Sequence, residues 1–225
     1  MTKNHLKRIA APSTWKIKRK KHIWITRPRG PHKLENMISI NTLLRDILKY
    51  AKTAKEVRDI IFKKGILVDG RRIKDVKYGV GLMDIITLPV LKESYRVILD
   101  KKGKLALIGV DEKTKLCRII GKTVLNKEVQ LNLFDGKNII IEKDNYKVGD
   151  TVEIELSSKK IKEHIKFEPG NCCYIIGGSY VGEVGTIKSI EKNVIDVKTQ
   201  DREFKTAKRY VFMVGKEKPL IKFEK

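Results

Sequence analysis

Between residues 42 and 86 the apolar positions first repeat at the spacing of a helix face and then switch to the short alternation of a hairpin. Leu43, Leu44, Ile47, Leu48 and Ala51 share one side of a first predicted helix, with Arg45, Lys49 and Lys52 opposite. Thr53 and Glu56 have the spacing of a capping box, in which the Thr hydroxyl takes an orphan N–H and the Glu reaches back toward the cap. The second predicted helix turns Val57, Ile60 and Ile61 inward and Lys55 and Arg58 outward. Gly65 is placed to stop it, since glycine adopts a left-handed cap at no steric cost. Ile66, Leu67 and Val68 then run into Asp69-Gly70, a dipeptide suited to a two-residue hairpin turn, with Arg71 and Arg72 on the return.

After Leu88-Pro89 the period is two. Tyr95, Val97 and Leu99 alternate, 100–103 turns, and Leu105 and Leu107 answer. Strands are predicted over 116–121, 129–134, 138–142, 152–156 and 161–167, with turns at Asp135-Gly136 and Gly149-Asp150. From Pro169-Gly170 onward, 171–176, 184–190, 194–199 and 210–214 supply further strands, with glycines at 177, 178, 182 and 185. Closing a small barrel needs bulges and positive φ angles, and a glycine loop also lets a phosphate backbone approach main-chain N–H groups. Gly178 and Gly182 are therefore candidates for both uses. The predicted fold is α+β and mostly β: an extended basic arm (1–41), a two-helix-plus-hairpin module (42–92), and two small β barrels or rolled sheets (93–168 and 169–225).

Charge changes this picture. Among 225 residues there are 50 Lys and Arg against 27 Asp and Glu, a net +23. Eleven basic residues and no acid lie within 1–34. So large an excess opposes compaction unless a polyanion neutralises it, and nucleic acid is the leading candidate. No apolar run approaches the roughly 20 residues of a membrane span, so no membrane partner is expected. Three cysteines give no disulfide framework and point to a reducing compartment.

Pro12, Pro28 and Pro31 interrupt the arm, and such a segment is usually disordered until it meets its ligand. Its candidate RNA contacts are His5, Lys7, Arg8, Trp15, Lys16, Lys18, Arg19, Lys20, Lys21, Arg27, Arg29, His32 and Lys33. Trp15 and Trp24 flank the Lys/Arg cluster and have two readings: indoles stacking on exposed bases, or anchors packed on a neighbouring domain. The cluster itself also fits a nuclear-localisation signal. In the module, Arg45, Lys49, Lys52, Lys55, Arg58, Arg71 and Arg72 form the candidate docking set, each with a solvated face as its plain alternative.

No catalytic constellation appears. Gly79-Val80-Gly81 lacks the third glycine of a dinucleotide loop, and no Gly-Lys-Ser/Thr loop is present. Cys172 and Cys173 point to opposite faces of one strand, so no metal site is expected, and His164 reads as structural. No enzyme activity, cofactor or small-molecule substrate is expected.

The helix–helix–hairpin pattern resembles the alpha-L RNA-binding module of ribosomal and rRNA-modifying proteins. More specifically, His5-Leu6-Lys7-Arg8, Ala10-Ala11-Pro12, Trp15 and Gly30-Pro31-His32-Lys33-Leu34 resemble the opening of the small-subunit ribosomal protein S-four-e family of archaea and eukaryotes. Arg45, Tyr50-Ala51, Val68-Asp69-Gly70 and Gly81-Leu82-Met83-Asp84-Ile85-Ile86 continue the likeness. Gly178, Gly182 and Gly185 resemble the KOW motif of ribosomal proteins and transcription-elongation factors. Glu35-Asn36-Met37 departs from the family in replacing a more basic stretch, and the long basic C-terminal extension of eukaryotic relatives has no counterpart. The resemblance implies a structural constituent of the small ribosomal subunit, in the cytoplasm, with small-subunit rRNA and neighbouring ribosomal proteins as partners. It also implies that the central β domain acts in spacing and extra RNA contact. Two other classes remain open: a KOW-containing transcription or RNA-regulatory factor, and an rRNA-modifying enzyme.

Overall fold

The computed structural model describes residues 5–111, 113–125, 128–142, 144–199 and 202–223. It divides into two units, Met1–Ile98 with Lys104–Glu112, and Leu99–Gly103 with Lys113–Lys225.

In the first unit the arm is packed rather than free. Strands β1 (Leu6–Lys7) and β2 (Trp24–Ile25) pair antiparallel and close the segment between them into a loop. Two arginines hold that loop. The fully buried Arg8 guanidinium donates to Lys18 O at 2.9 Å and to both Asp46 carboxylate oxygens at 2.9 and 3.0 Å. Arg19 donates to the carbonyls of Ile9, Ala11 and Pro12. Trp15 is 2% exposed. The expectation of an arm disordered until ligand binding is therefore corrected: guanidinium forks satisfy carbonyls that the proline-interrupted backbone cannot pair, and an indole supplies the buried area.

Strand β3 (Met37–Ser39) leads into helix α1, which starts at Ile40–Thr42 and continues as a π turn, Leu43–Ile47. Ser39 caps it by accepting the Thr42 N–H at 3.2 Å, so the helix begins earlier than the apolar pattern indicates. Leu43 and Leu44 are buried as predicted, but Lys49 has a left-handed φ of 61° and Ala51 lies past the helix end. Helix α2, Ala54–Asp59 followed by the π turn Ile60–Lys64, opens on the predicted box. Thr53 Oγ1 accepts the Glu56 N–H, and the Glu56 carboxylate accepts the Lys52 N–H at 2.7 Å. The Lys52 bond foremost, with the Thr53 hydroxyl donating to the same carboxylate at 3.0 Å, holds the Glu56 carboxyl below the usual range. Gly65 ends the helix at φ 69°.

Strands β4 (Leu67–Val68) and β5 (Arg71–Arg72) enclose Asp69-Gly70, both at positive φ, the geometry of a type I′ turn. Asp69 Oδ1 also accepts the Ile85 N–H at 3.1 Å. Strand β6 (Gly79–Gly81) pairs with β3, and β7 (Ile85–Leu88) pairs with β4. Strands β8 (Glu93–Leu99) and β9 (Leu105–Gly109) extend this sheet in the order β5-β4-β7-β8-β9. The 93–109 hairpin, grouped by sequence with the strands that follow, thus hydrogen-bonds onto the helical module, through Ile85↔Arg96 and Ile86↔Tyr95.

The second unit holds two five-stranded antiparallel sheets. In the first, β10 (Thr114–Leu125), β11 (Glu128–Leu133), β12 (Asn138–Ile141), β13 (Thr151–Glu155) and β14 (Ile161–Ile165) are ordered β12-β11-β10-β13-β14. A bulge between Ile119 and Gly121 bends β10, so that its first half pairs with β13 and its second with β11. Cys117, Ile119, Leu131, Leu133 and Val152 fill the concave side. Beside them Lys115 Nζ donates to Asp135 at 2.9 Å, both groups buried. Burial would raise the Asp135 carboxyl, but the Lys115 and Lys137 ammoniums outweigh it and hold it below the usual range. His164 Nε2 lies 2.7 Å from Asp150.

In the second sheet β15 (Cys172–Ile175), β16 (Val184–Glu191), β17 (Val194–Lys198), β18 (Glu203–Ala207) and β19 (Val211–Gly215) are ordered β18-β17-β16-β15-β19. Strand β18 escapes a sequence reading because its charged residues leave only Phe204 buried. Cys172 and Cys173 are both buried, and burial pushes the Cys173 thiol up to about 12. Arg118 of β10 donates to the carbonyls of Arg209 and Val211 at 2.9 and 3.0 Å, and Phe134 meets Phe212 edge-on, fastening the two sheets together.

Asp46→Ala leaves the Arg8 guanidinium buried without its carboxylate, and a loss of about 3–5 kcal/mol is expected on chemical denaturation. Trypsin cleavage within 16–21 should rise in parallel. Arg8→Met should lose less, because Asp46 keeps its bonds from Arg45. Asp135 has a depressed folded pKa, so its contribution is present above the ordinary carboxylate value of about 3.9 and disappears as pH falls through the lower folded one. Lys115→Met should therefore move the acid-unfolding midpoint to higher pH, as followed by near-UV circular dichroism.

Candidate nucleic-acid interface

The expected RNA contacts separate into two groups. Arg8, Trp15 and His32 are inside the first unit. His32 sits where a side chain on Gly81 would stand, with Nε2 3.3 Å from Asp84, whose carboxylate also accepts the Gly81 N–H. Arg19 is half-buried in its carbonyl bonds, and Arg45 is half-buried against Asp46 at 2.9 Å. These five side chains shape the surface from beneath.

The second group faces solvent: His5, Lys7, Lys16, Lys18, Lys20, Lys21, Arg27, Arg29, Lys33, Lys49, Lys52, Lys55, Arg58, Arg71 and Arg72. The β1–β2 ribbon arranges part of it. Lys7 stands directly across from Trp24, and the His5 ring meets the Trp24 indole edge-on at 5.6 Å. Trp24 is 55% exposed while its neighbour Ile25 is buried. Trp15 is thus packed as an anchor, and Trp24 is left as an exposed ring. Ile23 and Trp24 are both exposed while Ile25 is buried, so no alternation marks the outward ring, and a two-residue strand is too short for periodicity to settle which ring faces out.

A second cluster gathers at the end of α2. Arg72 donates to Phe62 O at 3.0 Å, placing its charge at the helix C-terminus, where the macrodipole favours a cation. Lys63 and Lys64 are exposed on the same turn, and neither entered the sequence-level site.

In the C-terminal sheet Gly178 and Gly182 both have φ of 85°. A Cβ on Gly182 would lie 2.6 Å from the Asp100 carbonyl, and one on Gly177 would lie 2.6 Å from the Tyr210 ring. Close packing accounts for these two glycines, whereas Gly178 lies in the same loop with more room around it. Nearby, the Arg202 guanidinium covers the Tyr180 ring at 5.0 Å, and Tyr180 stacks on Phe204 at 3.9 Å. Arg209 covers Tyr210 at 4.7 Å. Each pair holds a cation in a fixed place at the surface.

Three family models match successive parts of the chain: the RS4NT domain over 2–35, the S4 domain over 40–86, and Ribosomal family S4e over 91–161. Among similar proteins, the small ribosomal subunit protein eS4 of Methanocaldococcus jannaschii is 44% identical, covering 98% of this chain and 97% of its own. The protein of the same name from Methanococcus aeolicus is 42% identical over 97% of each chain. The crystal structure of the 30S ribosomal protein S4e from Thermoplasma acidophilum superposes with a TM-score of 0.70 at 33% identity, covering 80% of this chain and 95% of that one. Sequence over nearly the full length and fold agree, and the chain belongs to the ribosomal protein S4e family.

Proposed function

We propose that this protein is a structural constituent of the small ribosomal subunit, in the cytoplasm, where it binds rRNA and contacts neighbouring ribosomal proteins, without catalytic activity. The observation that carries the RNA contact is the β1–β2 ribbon: an exposed indole paired with Lys7, closing a loop that exposes Lys16, Lys18, Lys20 and Lys21. Phosphates exchange their condensed counterions for the ammonium groups, and an unstacked base finds an aromatic face. Because Arg8 and Arg19 already order the arm, little chain entropy is left for binding to overcome. The α2–hairpin cations and the cations around the 177–182 loop supply two further contacts, and linkage in one chain raises their combined affinity through effective concentration.

Full-length protein should sediment stoichiometrically with small subunits in sucrose gradients at high salt; a signal confined to the top of the gradient overturns the reading. On an rRNA fragment, replacing Lys16, Lys18, Lys20 and Lys21 with Ala should flatten the salt dependence by about 0.7–0.9 for each phosphate no longer neutralised. Trp24→Ala should instead weaken binding by about 1–3 kcal/mol at every salt concentration, with the slope retained. An unchanged slope in the lysine variant would remove the arm from the interface.

A further inference from the structure

The three five-stranded sheets present six edge strands, and five are blunted in the usual ways. β5 carries Arg71 and Arg72, β14 carries Lys162 and Glu163, and β18 carries Glu203 and Lys205. β9 is met by the arm, where Leu105 donates its N–H to Thr14 O at 2.8 Å. β19 is buried throughout, and Leu220 N–H closes onto Val214 O. Among the described residues β12 is the exception. Its four residues, Asn138–Ile141, hold no charge and no proline, its ladder runs to β11, and Ile140 is 57% exposed.

The sheet face beside this edge is equally unlike the rest of the molecule. Register places Gly121, Asn132 and Asn138 in one row and Thr123, Gln130 and Ile140 in the next. These rows point away from the core that Val129, Leu131 and Leu133 fill from the other side. Gln130 Nε2 donates to Asn132 Oδ1 at 2.8 Å across the outward surface. Neither row contains Lys or Arg, in a chain where 50 of 225 residues are one or the other. A phosphate backbone has no cation to meet here, whereas amides and an isoleucine beside open strand edges match a polypeptide. The exposed Glu128 and Glu142 lie just past the last ladder pair, Val129↔Ile141, and two carboxylates at this end favour an incoming cation.

We propose that β12 accepts an extended, basic segment of a neighbouring protein as an added strand. Its main chain completes the β12 ladder, an apolar side chain rests on Ile140, and a Lys or Arg reaches Glu128 and Glu142. The proposal rests on the ribosomal reading in one respect, that the partner belongs to the same particle.

The test uses small subunits isolated from cells that carry the full chain with a photo-crosslinking amino acid in place of Asn138, and a control chain with it in place of Lys20. The expected result is that position 138 links to a Lys/Arg-rich peptide of another subunit protein, identified by mass spectrometry, while position 20 links to rRNA. Adding Ile140→Lys should lower the yield at 138 by about tenfold and leave a chain that still sediments with subunits. A link from 138 to rRNA, to a second copy of this chain, or to nothing while position 20 links to rRNA, overturns the proposal. If the chain is absent from subunits altogether, the ribosomal reading fails first and this proposal falls with it.

Discussion

The buried guanidinium of Arg8 organises the arm of the first unit. Arg8 comes from a segment rich in prolines and cations that has no regular ladder to fold into, and its partner Asp46 lies 38 residues away on α1. Burying a charge is unfavourable unless it is paired and hydrogen-bonded. Here the fork donates to one carboxylate and to Lys18 O, so the same side chain that neutralises Asp46 also pins the cationic loop. Arg19 then satisfies three more carbonyls, and Trp15 fills the space beneath. The strongly basic arm is thereby presented as a shaped surface. Lysines 16, 18, 20 and 21 repel one another less when a framework spaces them than they would in a collapsed coil.

Long-range contacts govern the β part in the same way. β10 pairs with β13 along Thr114–Arg118 and with β11 from Ile119 to Leu125, and the bulge between Ile119 and Gly121 turns the strand between those two ladders. Arg118, just before the bulge, donates hydrogen bonds to the carbonyls of Arg209 and Val211, and burial lowers its pKa. Tyr174 bridges in a similar manner, since its hydroxyl accepts the Leu99 N–H and donates to Leu99 O, closing a main-chain gap with a side chain. Such close approaches explain why glycine is needed at 182, where the Asp100 backbone leaves no room for a Cβ.

Charge is distributed unevenly. Cations crowd the arm, the α2 terminus and the loops of the last sheet, while the two outer rows of the β10–β11–β12 sheet that run from Gly121 and Thr123 have none. The surfaces proposed for phosphate and for an added strand require opposite chemistry, and they lie on different elements of this chain.

Much of the fold was legible from local pattern. The Thr53–Glu56 box, the Gly65 stop, the Asp69-Gly70 turn and most strands of both later sheets depend on residues within a few positions of one another, and they stand where the sequence places them. The net +23 likewise pointed to a polyanion without any structure. What sequence could not supply was the identity of distant partners. Periodicity says that a residue has a buried side but not what covers it, so Arg8 and His32 read as RNA contacts, whereas the structure places them against Asp46 and Asp84. It could not divide Trp15 from Trp24, attach the 93–109 hairpin to the helical module, or single out β12 among six edges. Those outcomes are set by which elements meet in space, and only the tertiary structure decides that.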